Sequence, residues 1–382
     1  MNAFVSQLTT YEFTLWLVLI LSILIQLFFY LVVYVRVTPN RSKKKKVSPS
    51  NLPPVSVVIC ARNEEENLEE FLPLVLEQDY PDFEVVVVDD CSTDDSDMVL
   101  KRLSARYPNL KTTAIKVDNN FFHGKKLALT VGIKAAKNSW VLLTDADCRP
   151  SSILWLASMA ANFRSPNQVV LGYGGYIEAK GLLNKLIRFD TFFIAMQYMG
   201  FALFGKPYMG VGRNLAYTKD IFFKNKGFAR YNHIASGDDD LFVQKVARSK
   251  NTTVEYCLQS HTRSVACTTF KQWAKQKRRH LTTAPLYRGG VKFWLGLEPV
   301  SRLLFWASGI ILLTTSSQHI EIVAGAMALR VLVMLFIVKI AMFRLNERKI
   351  FLLSLVYDIL SPIVIGTLVL ANSLTKKRIK WN

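Results

Sequence analysis

The feature that most constrains the fold of this 382-residue chain is a long apolar run near its start. Residues 13–35 are nearly all apolar, and a run of that length can cross a bilayer as a helix. The run lacks the basic start and the small-residue cleavage site of a signal peptide. We therefore predict a retained transmembrane anchor.

Basic residues follow this run directly, beginning with Arg36 and continuing through four lysines at 43–46. An excess of Lys and Arg marks the cytoplasmic flank of a span, so we predict that residue 50 onward lies inside the cell. The net charge of +19 raises the possibility of a nucleic-acid partner. However, this cluster and those at 271–279 and 376–380 adjoin apolar segments, which anionic lipid headgroups explain better. We therefore predict that the basic clusters bind a lipid bilayer and that the protein has no nucleic-acid partner.

Three further apolar segments lie near the end of the chain, at residues 303–314, 322–343 and 350–371. The first is barely long enough to span unless it starts near Pro299. Arg330 and Asp358 lie inside the other two, and charged residues within spans usually face protein or water. Three spans would place the basic tail outside, against the positive-inside rule. A break at Ser361-Pro362 would instead form a re-entrant hairpin, and the sequence leaves both arrangements open.

Between the apolar segments, short β-branched runs alternate with helical patterns. The predicted strands are residues 55–59, 83–88, 111–117 and 141–143. This alternation predicts an α/β fold with a mostly parallel sheet and helices on both faces. Ligands of such sheets bind beyond the carboxyl ends of the strands. Polar pairs follow three of the predicted strands, namely Asn63 and Glu64, Asp89 and Asp90, and Asp145 and Asp147.

Asp145 and Asp147 predict a metal site. Side chains two positions apart on extended backbone point the same way, and paired carboxylates together with substrate phosphates suit Mg²⁺ or Mn²⁺. The chain has neither G-x-G-x-x-G after its first strand nor G-x-x-x-x-G-K-[ST], so no glycine cradle is available for phosphate. D-x-D also arises by chance in turns and helix caps, and the neighbouring acidic strand ends favour the metal interpretation.

Two other segments begin predicted helices with charged residues. Gly124 and Lys125 open one helix, where backbone amides and an ammonium group favour an anion, although a solvated Lys would look the same. Asp238, Asp239 and Asp240 precede another. One of these carboxylates can cap the helix, and crowding raises carboxyl pKa values, which suits a general base near neutral pH.

Residues 270–281 predict an amphipathic helix at the membrane surface, because aromatic residues there are flanked by Lys and Arg. Gln276, Arg279 and His280 could reach a diphosphate from this helix. A helix with only a lipid-binding role is the alternative interpretation.

Taken together, these residues resemble the membrane-bound family 2 glycosyltransferases, the GT-A group that includes cellulose, hyaluronan and poly-N-acetylglucosamine synthases and ceramide glucosyltransferase. The resemblance covers residues 55–281 and the arrangement of one anchor before and spans after. Five motifs occur in the family's order: Asn63-Glu64, Asp89-Asp90, Gly124-Lys125 with Ala128-Leu129, Asp145-Ala-Asp147, and Asp238-Asp239. The resemblance implies a Rossmann-like GT-A domain in the cytosol plus transmembrane helices.

The resemblance also implies roles for single residues. The nucleotide, most often uridine, would be bound by Ala61, Asn63, Glu64, Asp90 and Lys125. Asp145 would lie near the ribose and the metal, and Asp147 would bind the metal directly. Asp239 would be the catalytic base with Asp238 beside it, although the match to the family is ambiguous by one position.

One motif departs from the family. Its Q-x-x-R-W appears here as Gln276-Lys-Arg-Arg279-His280, with His in place of Trp. In processive members the acceptor sugar stacks on that Trp, so its absence argues against polymer synthesis. The change leaves the predicted contact of Gln276 and Arg279 with the donor diphosphate intact.

The predicted segments are an anchor (1–36), a basic linker (37–53), a GT-A domain (54–265), interface helices (266–298), a transmembrane bundle (299–375) and a basic tail (376–382). The predicted enzyme is an inverting hexosyltransferase at the bacterial inner membrane, with its catalytic domain in the cytoplasm. It would move a sugar from a UDP-sugar to a hydroxyl of a membrane lipid or lipid-linked glycan, using Mg²⁺ or Mn²⁺. Alternatives are a processive polysaccharide synthase and a non-catalytic membrane regulator that binds a nucleotide sugar.

Overall fold

The computed structural model describes residues 9–39, 52–116, 124–232, 234, 236–315 and 319–374. Most of the predicted basic linker and the whole predicted basic tail lie outside this part of the chain. Four described helices are long and apolar enough to cross a membrane, at Thr10–Val37, Gly289–Thr315, Ile320–Arg344 and Leu353–Leu374. The first precedes the described strands and the other three follow them.

The described part of the chain contains ten strands in two sheets. They are β1 (Val55–Ala61), β2 (Phe83–Asp90), β3 (Leu110–Ile115), β4 (Trp140–Asp145), β5 (Cys148–Pro150), β6 (Val169–Leu171), β7 (Gly174–Tyr176), β8 (Leu215–Thr218), β9 (Thr252–Val254) and β10 (Thr262–Ser264). The larger sheet has the order β3-β2-β1-β4-β8-β6-β9, and the smaller has the order β5-β10-β7. Strands β1 to β4 are mutually parallel, whereas β8 is antiparallel to β4 and β6. The predicted mostly parallel sheet is confirmed.

Twelve α-helices are described along the same residues. They are α1 (Thr10–Phe28), α2 (Glu65–Leu76), α3 (Ser96–Arg106), α4 (Lys125–Ala135), α5 (Trp155–Ala160), α6 (Leu182–Leu203), α7 (Lys219–Lys224), α8 (Asp240–Val246), α9 (Phe270–Leu281), α10 (Gly289–Thr315), α11 (Ile320–Arg344) and α12 (Leu353–Leu374). Helix α1 continues through a π-helical turn, Phe29–Val33, and a 3-10 turn, Tyr34–Val37. Helix α10 runs through Pro299, so the predicted boundary between residues 298 and 299 falls inside one helix.

The central strands are buried on both faces, which is why they read as continuous apolar runs. Val57 and Ile59 face one apolar cluster, while Val58 and Cys60 face the other. Parallel pairing aligns Cys60 with Asp145 and Ala61 with Asp89. The polar ends of β1, β2 and β4 therefore meet at one edge of the sheet.

The glycine-rich run at 171–177 predicts one strand with a bend, but the structure has two strands in different sheets there, β6 and β7. The chain changes sheet at Gly172, where an added Cβ would lie only 2.4 Å from Cγ of Asn214. Asn214 is fully buried, donates to the carbonyls of Tyr173 and Ser260, and accepts from Trp155 Nε1. This close approach requires glycine, and it turns β7 toward β10.

Helix α6 packs against both the end of the first apolar helix and the larger sheet. The apolar and aromatic sequence of residues 189–204 fits either a core helix or a helix in the membrane interface, and the structure places most of α6 in the apolar core. Phe201 packs edge to face on Phe29, and Phe193 does the same on Tyr34. The anchor is thus packed against the same cluster that covers one face of the sheet.

The apolar helices share a buried polar cluster. Arg330 makes two hydrogen bonds to the Asp358 carboxylate and one to Gln26, so α1, α11 and α12 meet there. Arg302 of α10 pairs with Glu298 and donates to Ser361 Oγ at 2.9 Å. The expectation that Arg330 and Asp358 face protein is confirmed, since both are at most 2% exposed.

Removing one partner of this cluster should destabilise the protein more than removing both. Arg330→Met leaves Asp358 buried without its bidentate partner, which typically costs about 3–5 kcal/mol. We expect a clear fall in the melting temperature of the purified protein in lipid. Arg330→Met combined with Asp358→Leu should restore most of the lost melting temperature. The control Glu321→Gln, at an exposed residue, should melt like the parent. Additive losses in the double variant would contradict this account.

Candidate active site

Lys125 connects two groups of carboxylates at the edge of the sheet. The first residue of α4 places its Nζ 2.7 Å from Asp145 Oδ1 and 3.6 Å from Asp238 Oδ2. Desolvation disfavours the ammonium form, but the two carboxylates outweigh it and raise the pKa of Lys125. Lys125 is therefore a permanent cation that joins the end of β4 to the start of α8.

Asp145, Asp147 and Cys148 offer ligand atoms that all lie within 4.8 Å of one another. Burial, and then the charge of Asp145, raises the pKa of Asp147, while Ser264 Oγ donates to its Oδ2 at 2.6 Å. Burial also raises the pKa of the Cys148 thiol well above its usual range, so this sulfur stays protonated and is a poor ligand. Two crowded carboxylates without a thiolate fit Mg²⁺ or Mn²⁺.

The three acidic residues before α8 have different surroundings. Asp238 faces Lys125. Asp239 accepts from the Gly212 amide at 3.0 Å through Oδ2 and from the Asp240 amide at 2.7 Å through Oδ1, so it caps α8. Asp240 Oδ2 accepts from the hydroxyl groups of Thr283 and Tyr287. Asp240 thereby fastens the segment after α9 to α8, which leaves Asp239 as the better candidate for a base.

The environment of Asp239 gives it a pKa of about 7. Burial is the main cause, followed by the negative charges of Asp238 and Asp240, whereas Lys125 and the Gly212 amide act in the opposite direction. A carboxyl group that titrates near neutral pH can accept a proton during catalysis. Asp239 is therefore the helix cap, and its role as a general base stays a prediction.

Residues 212–214 line this charged cluster. A Cβ added to Gly212 would lie 3.5 Å from Lys125 Nζ and 3.9 Å from Asp239 Oδ2, so any larger residue would enter the cluster. The Arg213 guanidinium lies 4.4 Å from the centre of the Tyr176 ring. Burial lowers the pKa of Arg213, but Tyr176 and Cys148, and after them Asp147 and Asp145, raise it above its usual value, so Arg213 is a second cation beside the predicted metal ligands.

The residues predicted to hold the nucleotide lie along the ends of β1 and β2. Ala61 ends β1, and Asp90 is fully buried at the end of β2. Asn63 adopts a left-handed backbone conformation (φ 54°), and its Oδ1 accepts from the Thr93 amide at 2.7 Å. This bond holds the loop after β2 against the loop after β1.

Glu64 is the other acidic group of this edge with a strongly shifted pKa. Burial, together with the charges of Asp147 and Asp145, raises the pKa of Glu64 to about 7, although Asn67 donates to it at 2.6 Å. Glu64 therefore lies within electrostatic range of both predicted metal ligands. The motifs Asn63-Glu64 and Asp145-Ala-Asp147 are therefore near each other at this edge of the sheet.

Helix α9 covers the other side of the cluster. Gln276 Nε2 lies 3.5 Å from the Tyr176 hydroxyl at the end of β7. Desolvation and the neighbouring cations, first Arg279 and then Lys277, Arg213 and Lys125, lower the pKa of His280. His280, whose side chain is exposed at the end of α9, therefore lies within electrostatic range of Arg213 and Lys125.

Sequence reasoning missed four residues of this site: Ser264, Arg213 as a cation, Thr283 and Tyr287. None of them lies in a recognisable motif. Ser264 reaches Asp147 because β10 pairs with β5 and β7, which aligns Ser264 with Cys148 and Tyr176. Such long-range pairings leave no local pattern in the sequence.

Ser264→Ala should weaken metal binding without changing the fold of the edge. Groups that orient metal-binding carboxylates are typically worth about 10- to 100-fold in affinity. We expect a Mn²⁺ titration followed by electron paramagnetic resonance to show a dissociation constant raised by that factor. The exposed Ser151→Ala should bind Mn²⁺ like the parent. Equal affinity in Ser264→Ala would show that this hydroxyl does not orient Asp147.

Comparisons with known proteins agree with this geometry. Residues 56–224 match the family described as "Glycosyl transferase family 2". The chain is 35% identical over 103 residues to "Glycosyltransferase AglE" of Haloferax volcanii, which covers 26% of this chain and 33% of AglE. It is 29% identical over 160 residues to "Probable glycosyltransferase YdaM" of Bacillus subtilis, which covers 41% of this chain and 37% of YdaM. The chain thus spans well under half the length of these curated relatives.

Among solved structures, the mannosyltransferase PcManGT from Pyrobaculum calidifontis, in complex with GDP-Man and Mn2+, is similar in fold. The TM-score is 0.56 at 18% identity, and the match covers 91% of this chain and 98% of PcManGT. The predicted GT-A fold with membrane-spanning candidates is therefore confirmed, and the family 2 domain supports a glycosyltransferase.

Proposed function

We propose that this chain, which carries a glycosyltransferase family 2 domain, is an inverting transferase that moves a sugar from a nucleotide-sugar donor to a hydroxyl of a membrane lipid or lipid-linked glycan. The observation that carries the proposal is the placement of Asp239. Its carboxyl group has a pKa of about 7 and adjoins Lys125, which is hydrogen-bonded to Asp145 of the predicted metal pair. A base, a cation and a pair of metal-binding carboxylates at one edge of the sheet are the groups that sugar transfer from a nucleoside diphosphate donor requires.

Asp239 would take the proton of the acceptor hydroxyl while that oxygen attacks the anomeric carbon. The Gly212 amide and the Asp240 amide fix its two oxygens, so the carboxylate is oriented before the acceptor arrives. The transition state has oxocarbenium character, as in glycoside chemistry. Asp238 remains the neighbouring alternative for the base.

The leaving nucleoside diphosphate would be stabilised from both sides of the cluster. Lys125, Arg279 and Gln276 would contact its phosphates, with His280 beside them. A Mg²⁺ or Mn²⁺ ion held by Asp147 and Asp145 would neutralise the negative charge that develops on the diphosphate. Ala61, Asn63, Glu64 and Asp90 would surround the base and ribose.

A UDP-sugar is the donor we propose, on the family resemblance of these motifs. PcManGT is in complex with GDP-Man, so GDP-sugars belong in any donor panel. The acceptor proposal rests on the membrane: α9 borders the site, and four candidate spans flank the domain. We place the domain on the cytoplasmic side of a bacterial inner membrane, because Arg36 and the lysines at 43–46 follow the anchor.

Processive polymer synthesis has less support, because His280 replaces the Trp on which the family stacks its acceptor sugar. A non-catalytic regulator has less support still, since Asp90, Asp145, Asp147 and Asp239 are all present.

Asp239→Asn should nearly abolish turnover while leaving the donor bound. Loss of a general base typically costs about 10²–10⁴ in rate. We expect nucleoside diphosphate release by the purified protein in lipid, with UDP- and GDP-sugars and Mg²⁺ or Mn²⁺, to fall by that factor. The control Asp220→Asn makes the same charge change at an exposed residue of α7. Full activity in Asp239→Asn would remove Asp239 as the base and point to Asp238.

The rate should rise with pH through about 7. A raised pKa means that the carboxyl group of Asp239 is protonated, and useless as a base, below that value and ionised above it. We expect a single ascending limb near pH 7 in kcat for the parent at saturating metal. The residual activity of Asp239→Asn should lack this limb. A parent rate that is flat between pH 5.5 and 8 would contradict the assignment.

A further inference from the structure

Helix α12 is long enough to cross a bilayer, yet both of its ends contact the catalytic side of the protein. Its 22 residues correspond to about 33 Å of helix. A helix of that length that crosses the bilayer has one end on each side. The contacts at its two ends are therefore the observations that decide its course.

The loop before α12 is anchored to the catalytic fold through Glu347. This side chain is buried, accepts from the Tyr173 hydroxyl at 2.8 Å and from Arg188 Nε at 3.1 Å, and forms an ion pair with Arg263. Arg263 lies on β10 and also donates to the carbonyl groups of Leu345 and Asn346. The start of α12 is thus held against the smaller sheet.

The far end of α12 is held on the same side, by α9. Arg278 Nε donates to Asn372 Oδ1, and Asn372 Nδ2 donates to the Arg278 carbonyl, each at 2.9 Å. Helix α9 is itself fixed to the catalytic fold, because Lys277 pairs with Asp190 of α6 and Thr283 donates to Asp240. The end of α12 therefore lies beside the candidate active site.

The opposite half of the helical bundle is built without α12. Among the described residues, its apolar cluster consists of residues from α1, α10 and α11: Trp16, Leu19, Phe305, Leu312, Val323 and Met327. Helix α12 meets Arg330 and Arg302 through Asp358 and Ser361, near the middle of those helices. Large apolar side chains between these contacts and Asn372, such as Ile363 and Leu370, are half exposed.

We propose that α12 does not cross the bilayer but lies obliquely in the leaflet next to the catalytic domain. Its polar residues face the protein, and its exposed apolar residues face the acyl chains of that single leaflet. Helices α1, α10 and α11 then cross, and α12 returns to the catalytic side at Leu374. The sequence agrees with the positive-inside rule, because Lys and Arg follow α12 at 376–380 as they follow α1 at 43–46. The return needs no break at Ser361-Pro362, because α12 is continuous there.

The side of the membrane reached by the end of α12 can be measured without any turnover. Ser373→Cys, Glu321→Cys and Lys101→Cys place exposed thiols at the end of α12, at the start of α11 and on the catalytic domain. A membrane-impermeant maleimide is applied to right-side-out and inverted vesicles, and labelling of the parent with its five native cysteines is subtracted. We expect Ser373→Cys to label from the same side as Lys101→Cys and opposite to Glu321→Cys. Labelling together with Glu321→Cys would overturn the proposal.

A cross-link tests the contact itself. Arg278→Cys combined with Asn372→Cys should form an intramolecular disulfide on mild oxidation in membranes. The matched control pairs Arg278→Cys with Leu360→Cys, an exposed position twelve residues earlier on α12, and should not cross-link. Equal yields in the two pairs, or no cross-link between 278 and 372, would overturn the proposal. Neither assay depends on the glycosyltransferase function, so the two proposals can fail separately.

Discussion

Crowded negative charge at one edge of the sheet is the constraint on which the rest of this structure depends. Parallel pairing brings Asp90 and Asp145 to the same edge, and the turn after β4 adds Asp147. Asp238, Asp239 and Asp240, at the start of α8, add three more carboxylates from the other side. Lys125 and Arg213 compensate part of this charge, while burial, and after it the neighbouring carboxylates, raises the pKa values of Glu64, Asp147 and Asp239. A divalent cation and a cationic contact from α9 are the partners that such an edge favours.

The membrane helices are connected to this edge by continuous contacts. Glu347, in the loop between α11 and α12, pairs with Arg263, and the next residue of β10, Ser264, donates to Asp147. On the other side, Asp240 links α8 to the segment that leads into α10. The carboxylate pair and the candidate base are therefore one or two residues away from a contact with an apolar helix or the loop beside it. These contacts explain how the candidate site can be held close to the membrane.

The sequence was sufficient wherever a local pattern determines the structure. Short β-branched runs predicted β1 to β4, aromatic residues flanked by Lys and Arg predicted α9, and the spacing of Asp145 and Asp147 predicted a carboxylate pair. It failed where distant segments meet. Gly172 divides one predicted strand into β6 and β7 because Asn214 lies against it. The sequence alone does not distinguish the roles of Asp239 and Asp240, because the hydrogen bonds from Thr283 and Tyr287 to Asp240 come from a distant segment. The course of α12 depends on Asn372 and Arg278, which are far apart in the chain.

The central claim is that this edge transfers a sugar to a lipid. The most direct measurement is to incubate the protein in native membrane lipids with radiolabelled UDP- and GDP-sugars and Mn²⁺, extract with organic solvent, and count both phases. The account predicts label in the organic phase that requires the metal and is lost in Asp239→Asn. Label that stays in water as a high-molecular-weight polymer, or no transfer from any donor although donor binds, would contradict it.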